Sequence, residues 1–342
     1  MKTVAVIIPY YQREAGLLRR ALQSIADQNM PQDVHVRIVI ADDESPLPVE
    51  AAIEGFEVPQ GHELVILHRK NGGPGAARNT GLDSLDAAEV DYVMFLDSDD
   101  VWHPDHLKAA MTELDAGSDF YFANSQHDDK DTFYYFDYMQ RHHKNGPDYE
   151  PVRRQITPAE AVDAIADECL PHASQVAFNF KRNPRVRFDE GFRRACEDQL
   201  FFLDLSAKCE RITYSMKVMG SRGTGVSVYR ETMAWGSLEG PNRIIDELLF
   251  RKRLLQAYKF GLGKKIKIYM SAQPKINHWL FLVLRHMKYN PDVSRNAWQR
   301  YFKQLPQFLI CIPIAFVSLP FHYLQLRSEA KAHVAEPVGT AS

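Results

Sequence analysis

Three carboxylates stand together directly after a short apolar run, in the sequence Phe95-Leu96-Asp97-Ser98-Asp99-Asp100. Acidic side chains this close repel one another, and a bound cation relieves that repulsion. Their hard oxygen atoms suit Mg²⁺ or Mn²⁺, which commonly neutralise a diphosphate. The other interpretation is an acidic turn that caps a helix starting near Pro104, since Asp is a common N-cap residue. Their position behind an apolar run favours a metal site made of Asp97, Asp99 and Asp100.

A glycine-rich segment with one arginine comes earlier, and residues 71–81 have the sequence NGGPGAARNTG. Glycines let the backbone approach a ligand closely, and Arg78 offers a planar fork to a base carbonyl or a phosphate. The segment lacks the Gly-Lys-Ser/Thr of a phosphate-binding P-loop and the glycine spacing of a dinucleotide fingerprint. A plain loop turn is the alternative interpretation.

Two further groups of residues have the chemistry to recognise a nucleoside. One carboxylate of Asp42-Asp43 would accept a hydrogen bond from the ring N–H of uracil, unless the pair only forms a solvated turn. Tyr10 or Tyr11 would stack on that ring.

A pair of acids, Glu197-Asp198, stands at the head of a predicted amphipathic helix over residues 195–207. Acids in a first turn stabilise the helix dipole, which is the structural interpretation. The catalytic interpretation is a general base that takes a proton from an acceptor hydroxyl. Group transfer with inversion requires such a base, a metal that stabilises the leaving diphosphate, and in-line geometry.

The elements that must position these residues alternate between strand and helix over the first hundred residues. Short apolar strands separated by helices predict an α/β fold, with a mainly parallel sheet flanked by helices. Ligands bind outside the carboxyl ends of such strands, which is where the polar motifs lie. The predicted strands are Val4–Pro9, Val34–Ala41, Glu63–Leu67 and Tyr92–Leu96.

Beyond Phe120 the pattern is less regular, although a helix over Pro158–Ala166 and a strand over Val176–Phe180 are predicted. Three histidines in polar surroundings (His127, His142 and His143) have no metal-ligand spacing to a carboxylate, and we interpret them as surface residues. A break at Gly236–Pro241 predicts a domain over residues 1–240, followed by a helical region over 241–330 and a disordered tail over 331–342.

Charge is unevenly distributed along the 342 residues. The net charge is −3, yet residues 243–303 contain fourteen Lys/Arg and three Asp/Glu. A basic rear half suggests contact with phospholipid or a lipid-linked diphosphate, and a solvated helical face is the alternative. The four cysteines show no paired spacing, and the opening lacks a signal-peptide pattern, so we expect reduced thiols in the cytosol.

One apolar segment, residues 305–326, approaches the length of a membrane span. Pro306, Pro313 and Pro320 interrupt it, and each removes a backbone hydrogen bond that lipid cannot replace. We therefore expect an interfacial or protein-docked helix pair, with a span or a core helix as the alternatives.

Taken in order, these motifs resemble the inverting GT-A glycosyltransferases of glycosyltransferase family 2, over residue 4 to about 205. The motifs are VIIPYY at residues 6–11, DDESP at 42–46, residues 72–81, residues 95–102 and Glu197-Asp198. They are similar in particular to the bacterial succinoglycan-biosynthesis glucosyltransferases, which extend a lipid-linked oligosaccharide.

The resemblance implies a role for each matching residue. Pro9, Tyr10 and Tyr11 would line the nucleoside pocket, Asp43 or Asp42 would hold the uracil, and Arg78 would contact base or phosphate. Asp97 would reach the ribose, and Asp99, with Asp100 beside it, would hold the metal. Asp198 would be the base and Glu197 would orient the acceptor. Arg222 belongs to a segment, Arg222-Gly223-Thr224-Gly225, that is either a mobile loop closing on the diphosphate or a surface turn.

The resemblance thus predicts a Mn²⁺- or Mg²⁺-dependent hexosyltransferase that uses a UDP-sugar and a lipid-linked or polysaccharide acceptor in exopolysaccharide or cell-surface glycan synthesis. It would act in the cytoplasm, at the inner membrane face and in peripheral contact with it, with no nucleic-acid partner. The alternatives are a sugar-nucleotide nucleotidyltransferase and a non-catalytic nucleotide-sugar-binding protein. The former needs a basic Gly-rich loop after the first strand, where this chain has Pro9-Tyr10-Tyr11-Gln12.

Overall fold

A computed structural model describes residues 1–30, 33–127, 130–134, 153–167, 171–234 and 236–335. It divides into two compact units. The first consists of Met1–Arg193 with Glu197–Ser227, and the second of Arg194–Cys196 with Val228–Ser342. The main change of unit thus falls between Ser227 and Val228, somewhat before the boundary at residue 240 that the sequence indicates.

The strands of the first unit form one mixed sheet. Their bounds are β1 (Lys2–Tyr10), β2 (Val34–Asp42), β3 (Glu63–His68), β4 (Tyr92–Phe95), β5 (Val101–Trp102), β6 (Phe120–His127), β7 (Lys130–Tyr134), β8 (Arg153–Ile156), β9 (Val176–Asn179) and β10 (Ile212–Arg222). The helices of this unit are α1 (Leu17–Ala26), α2 (Val49–Ile53), α3 (Pro74–Asp83), α4 (His106–Asp115), α5 (Pro158–Asp167) and α6 (Glu197–Ser206).

The sheet has the order β3-β2-β1-β4-β9-β6-β10-β5, with β7 beside β6 and β8 beside β10. Strands β1, β2, β3 and β4 pair in parallel, whereas β9 runs antiparallel to both β4 and β6. The α/β prediction is confirmed, and all four predicted N-terminal strands lie within a residue or two of the observed bounds. Because β1, β2 and β4 are parallel, their carboxyl ends meet at one edge of the sheet.

The central strands are buried on both faces, as their continuous apolar runs require. Val4, Val6 and Ile8 of β1 belong to a core cluster that includes the buried face of α1. On the other face α3 crosses β1 at Gly81, where an added Cβ would stand 2.5 Å from Cγ2 of Ile7. A larger residue at Gly81 would push this helix off the sheet.

Strands β6 and β10 are absent from the sequence-based description. Strand β10 pairs with β6 in parallel, but its register shifts between Ser215 and Val218 and again between Val218 and Ser221. Such bulges interrupt the two-residue alternation by which a strand is recognised in a sequence.

The second unit is helical, as predicted. Its helices are α7 (Val228–Met233), α8 (Gly240–Ala257), α9 (Leu262–Met270), α10 (Ala272–Tyr289), α11 (Pro291–Gln304) and α12 (Cys311–Ala335). Their core is centred on Trp279, whose ring stacks on Tyr301 with 4.3 Å between centroids.

The apolar segment 305–326 forms a short 3-10 turn, Pro306–Phe308, followed by the single helix α12. This differs from the expected helix pair, since Pro320 lies inside α12 without ending it. No helix in the part of the chain that the structure describes is both long and apolar enough to cross a membrane. Helix α12 continues to Ala335, so the first residues of the predicted disordered tail are helical, and residues 336–342 lie outside the described part.

Candidate active site

The acidic turn, residues 97–100, leaves the sheet at the end of β4. Its backbone closes on itself, because the Asp100 N–H donates to the Asp97 carbonyl at 3.0 Å. Ser174 then fixes both ends of the turn. Its hydroxyl accepts from the Asp97 N–H at 2.9 Å and donates to Oδ2 of Asp100 at 2.5 Å. Ser174 lies in a second loop, the one that precedes β9. Because β9 pairs with β4, this second loop is held beside the acidic turn.

His172 reaches the acidic turn from the same second loop. Its Nδ1 lies 3.3 Å from Oδ2 of Asp100, and its Nε2 lies 3.9 Å from Oδ2 of Asp97. One donor atom from each of these three residues can be chosen so that all lie within 4.8 Å of one another, a spacing suited to a shared metal ion. Asp99 does not belong to that group.

The sequence analysis did not identify His172. It is 72 residues from Asp100, and only the pairing of β9 with β4 brings the two together. The one available signal was a polar residue shortly before the predicted strand Val176–Phe180. Of the histidines considered instead, His142 and His143 lie outside the described residues, as does the side chain of His127.

The carboxyls of the acidic turn have opposite electrostatic environments. Burial, together with the charges of Asp97 and Asp99, raises the pKa of Asp100 well above its usual value. Burial also acts to raise the pKa of Asp97, but the positive charges of Arg78 and His172 outweigh it and hold that pKa below its usual value. A cation bound at this turn would therefore relieve the repulsion that Asp97 and Asp99 exert on Asp100.

The segment Arg222-Gly223-Thr224-Gly225 lies against the acidic turn. The Gly223 N–H donates to Oδ1 of Asp100 at 2.9 Å, and the Gly225 N–H donates to Oδ2 of Asp99 at 2.7 Å. An added Cβ at Gly223 would overlap the Asp99 carbonyl oxygen, and one at Gly225 would stand 2.7 Å from the Asp99 Cβ. The close approach therefore requires glycine at both positions.

Arg222 is buried, and its Nε donates to the Ser125 hydroxyl at 3.0 Å. It is one of the positive charges that lower the pKa of Asp97. The structure thus disagrees with the surface-turn interpretation of this segment.

Arg78 lies between the acidic turn and the acids of helix α6. Its Nη2 donates to Oδ1 of Asp97 at 2.5 Å, and its Nη1 stands 3.8 Å from Oε1 of Glu197. The guanidinium lies 5.3 Å from the ring centre of Phe188, which closes the opposite side. Within the described structure the buried Nε and Nη1 atoms have no hydrogen-bond partner. Arg78 is therefore a buried, incompletely satisfied positive charge that links two groups of carboxylates.

Glu197 and Asp198 occupy the first turn of α6, as predicted. They follow Cys196, whose φ of 66° is left-handed, a conformation that is uncommon for a residue other than glycine. Burial and repulsion from Asp198 raise the pKa of Glu197 to about 8. Burial also raises the pKa of Asp198, against the opposing charge of Arg78. Two buried carboxyls with raised pKa values are well suited to exchange a proton near neutral pH.

The predicted nucleoside side of the site is built from the ends of β1 and β2. Both carboxylate oxygens of Asp43 are engaged by the glycine-rich loop, accepting from the Gly72 N–H at 2.9 Å and the Gly73 N–H at 2.7 Å, with Arg69 paired to the same carboxylate. Asp42 accepts from the Ser45 N–H at 2.9 Å and faces His68.

Of the aromatic candidates, the structure excludes Tyr10. Its side chain is fully buried in the core cluster below the sheet, so it cannot stack on a ligand. Successive side chains of a strand point to opposite faces, and Tyr11, the next residue, is only half-buried, as is Pro9. Gln12 follows, and its amide donates to the Ser98 hydroxyl at 2.9 Å, which connects β1 to the acidic turn.

This sheet, with acidic groups gathered at its carboxyl edge, defines a GT-A glycosyltransferase fold. The same fold occurs in solved structures of TarS residues 1–349 from S. aureus. The structure in complex with UDP-GlcNAc has a TM-score of 0.57 and 21% identity, covering 93% of this chain and 84% of that one. The structure in complex with UDP has a TM-score of 0.56 and 18% identity, covering 97% and 92%.

Residues 5–170 match the family model described as "Glycosyl transferase family 2". The chain is 37% identical over 239 residues to "Succinoglycan biosynthesis protein ExoW" of Rhizobium meliloti, covering 67% of this chain and 71% of that relative. It is 25% identical over 294 residues to "Minor teichoic acid biosynthesis protein GgaA" of Bacillus subtilis, covering 83% of this chain and 58% of that relative. The chain belongs to glycosyl transferase family 2 and is a glycosyltransferase.

Proposed function

We propose that this enzyme transfers a hexose, glucose, from a UDP-sugar to a hydroxyl of a lipid-linked or polysaccharide acceptor, with inversion, in exopolysaccharide or cell-surface glycan synthesis. The observation that carries the proposal is the meeting of two acidic groups around one buried arginine: Asp97 on one side of Arg78 and Glu197 on the other. The similarity to a succinoglycan biosynthesis protein supports the acceptor class, and the TarS complex with UDP-GlcNAc supports the donor class.

The donor would lie across the carboxyl edge of β1, β2 and β4. Tyr11 would stack on the uracil above Pro9, and Asp43 or Asp42 would accept its ring N–H. Asp43 would contribute in a second way, because it also holds the glycine-rich loop through Gly72 and Gly73.

A divalent cation, Mn²⁺ or Mg²⁺, fits the acidic turn. Carboxylate oxygens are the ligands these ions prefer, and burial together with the charges of Asp97 and Asp99 raises the pKa of Asp100, which supports a role for a compensating cation. Asp97, Asp99 and Asp100 would hold the ion, which when bound neutralises charge on the departing diphosphate. Asp97 would also reach the ribose, and Arg222 lies buried nearby as an additional positive charge.

Asp198 would accept the proton of the attacking hydroxyl, with Glu197 beside it to orient the acceptor. A base with a raised pKa is a stronger proton acceptor than an ordinary aspartate, and the charge of Arg78 opposes the rise that burial causes in the pKa of Asp198. Arg78 thus favours the ionised form of both neighbouring acids.

Release of UDP tests this function against its alternatives. We expect UDP from UDP-glucose in the presence of Mn²⁺ or Mg²⁺ and a bacterial membrane extract as acceptor, and none after chelation. Release of pyrophosphate from a nucleoside triphosphate and a sugar phosphate would instead indicate a nucleotidyltransferase. UDP-glucose binding without release from any UDP-hexose would favour the non-catalytic alternative.

We further propose that the second unit contacts the inner membrane peripherally from the cytoplasmic side. Helix α9 exposes Leu262 (76%) and Met270 (68%) next to Lys264, Lys265 and Lys267. Basic residues around an apolar stripe are typical of helices that lie in the interface of an anionic membrane.

A second apolar stripe starts just before helix α12, at Ile310 (71% exposed), and continues along the helix with Ile314 (54%), Val317 (77%), Phe321 (74%) and Leu324 (60%). The end of the first stripe lies close to the start of the second, because the Tyr269 hydroxyl near the end of α9 donates to the Gln307 carbonyl at 3.1 Å and the rings of Tyr269 and Phe308 are 5.3 Å apart. Sedimentation with vesicles tests the proposal. We expect binding to phosphatidylglycerol vesicles and weaker binding to phosphatidylcholine vesicles.

In that assay the double variant Lys264→Glu/Lys265→Glu should lose binding to anionic vesicles. Lys208→Glu, an exposed change on the catalytic unit, should retain it. Equal binding of all three proteins, or a dimer in solution that buries these stripes, would contradict the membrane proposal.

A further inference from the structure

A nitrogen donor stands within the otherwise all-carboxylate cation site. We propose that His172 is a direct ligand of the divalent cation and makes the site select Mn²⁺ over Mg²⁺. The inference rests on the proposed function, because that function requires a cation at the acidic turn. It adds a residue outside the motifs that identified the turn, and it states which of the two ions the enzyme uses.

The donor atoms already stand at ligand spacing. Two donors about 2.1 Å from one cation are about 3 Å apart when adjacent and about 4.2 Å apart when opposite. Nδ1 of His172 is 3.3 Å from Oδ2 of Asp100, and Nε2, the other ring nitrogen, is 3.9 Å from Oδ2 of Asp97. With one nitrogen chosen from the imidazole and one oxygen from each carboxylate, the three donors lie within 4.8 Å of one another, close to that range. A small adjustment of these side chains would therefore let His172, Asp97 and Asp100 share one cation.

The loop that carries His172 is fixed against the turn by bonds that do not involve the histidine. Ser174 contacts both Asp97 and Asp100, and its carbonyl accepts from the indole N–H of Trp102 at 2.6 Å. The residues between His172 and β9 form a 3-10 turn, Ala173–Gln175. This arrangement places His172 independently of any ion, which lowers the entropic cost of ligation.

Charge explains why an imidazole is useful at this position. A further carboxylate would add repulsion at a turn where Asp97, Asp99 and Asp100 already crowd one another. Neutral imidazole adds a ligand without adding negative charge. Mn²⁺, a softer ion than Mg²⁺, accepts a nitrogen donor more readily, whereas Mg²⁺ favours oxygen donors. The competing role for His172 is a protonated counter-ion of Asp100, with no bond to the metal.

Pulsed electron paramagnetic resonance of bound Mn²⁺ separates these two roles. With Mn²⁺ and UDP, the spectrum of the wild-type protein should show coupling to a directly bonded nitrogen. Labelling the protein with ¹⁵N-histidine should change that coupling to the ¹⁵N pattern. In His172→Gln the nitrogen coupling should disappear, whereas the matched control His35→Gln, at the opposite end of β2, should keep it.

Affinity measured by titration provides the second readout. Loss of outer-shell partners alone costs about 10- to 100-fold in metal affinity, so His172→Gln should bind Mn²⁺ at least about tenfold more weakly. Its affinity for Mg²⁺ should stay unchanged, and the ratio of the two constants should fall by the same factor.

Bound Mn²⁺ without nitrogen coupling in the wild-type protein would overturn the inference and leave the proposed function standing. Coupling that persists in His172→Gln would also overturn it. Should that variant fail to fold, the ¹⁵N-histidine spectrum of the wild-type protein still decides between ligand and counter-ion. Failure of Mn²⁺ to bind at all in the presence of UDP would instead contradict the proposed function.

Discussion

The raised pKa of Glu197 predicts how stability depends on pH. Its side chain is only 14% exposed, and burial with the neighbouring Asp198 raises its pKa from 4.5 to about 8. Between those two pH values the folded protein keeps a proton on Glu197 that the unfolded chain releases. The free energy of unfolding should therefore fall as the pH rises, by about 1.36 kcal/mol per pH unit from this group alone.

Replacing the residue by glutamine removes this titration while keeping the shape of the side chain. From pH 5.5 to 7.5 the wild-type protein should lose about 2.7 kcal/mol relative to Glu197→Gln. Asp198, whose pKa is also raised, is present in both proteins, so only its repulsion with Glu197 differs between them.

Urea-induced unfolding, followed by circular dichroism with a chelator present, measures this difference at each pH. Glu54→Gln, an exposed carboxyl on the same unit, is the matched control and should run parallel to the wild-type protein. If Glu197→Gln also runs parallel to the wild-type protein across this range, Glu197 is ionised in the folded state and the electrostatic argument for the site is wrong.

The remaining predictions concern the acidic turn and the base. Asp99→Ala and Asp198→Asn should each abolish transfer, and substantial turnover in either variant would contradict the assigned role. Calorimetry should separate them, because cation-dependent UDP binding should be weakened in Asp99→Ala and nearly intact in Asp198→Asn. Gly223→Ala should destabilise the fold by about 1–3 kcal/mol and weaken Mn²⁺ binding, because its methyl group would overlap the Asp99 carbonyl. Gly263→Ala, which lies in helix α9 and meets no atom within 4 Å, is its control; it should not destabilise the fold and should leave Mn²⁺ binding unchanged.

Local pattern was sufficient for the N-terminal half of the fold. Strands such as Val34–Asp42 are buried on both faces, and their unbroken apolar runs are visible without any partner. The same approach failed for β10, since its bulges break the alternation. It left Tyr10 and Tyr11 as alternatives, since the sequence does not show which of two adjacent tyrosines faces the core.

By itself, the sequence determined where acidic and glycine-rich segments follow strands, and hence which edge of the sheet carries the chemistry. Only the tertiary structure decided which of these residues meet: Arg78 with Asp97 and Glu197, and His172 with Asp100. The physical reason is the topology of the sheet. Strands that are neighbours in this sheet, such as β4 and β9, are far apart in the chain, so groups that meet at its edge are separated by tens of residues and share no local pattern.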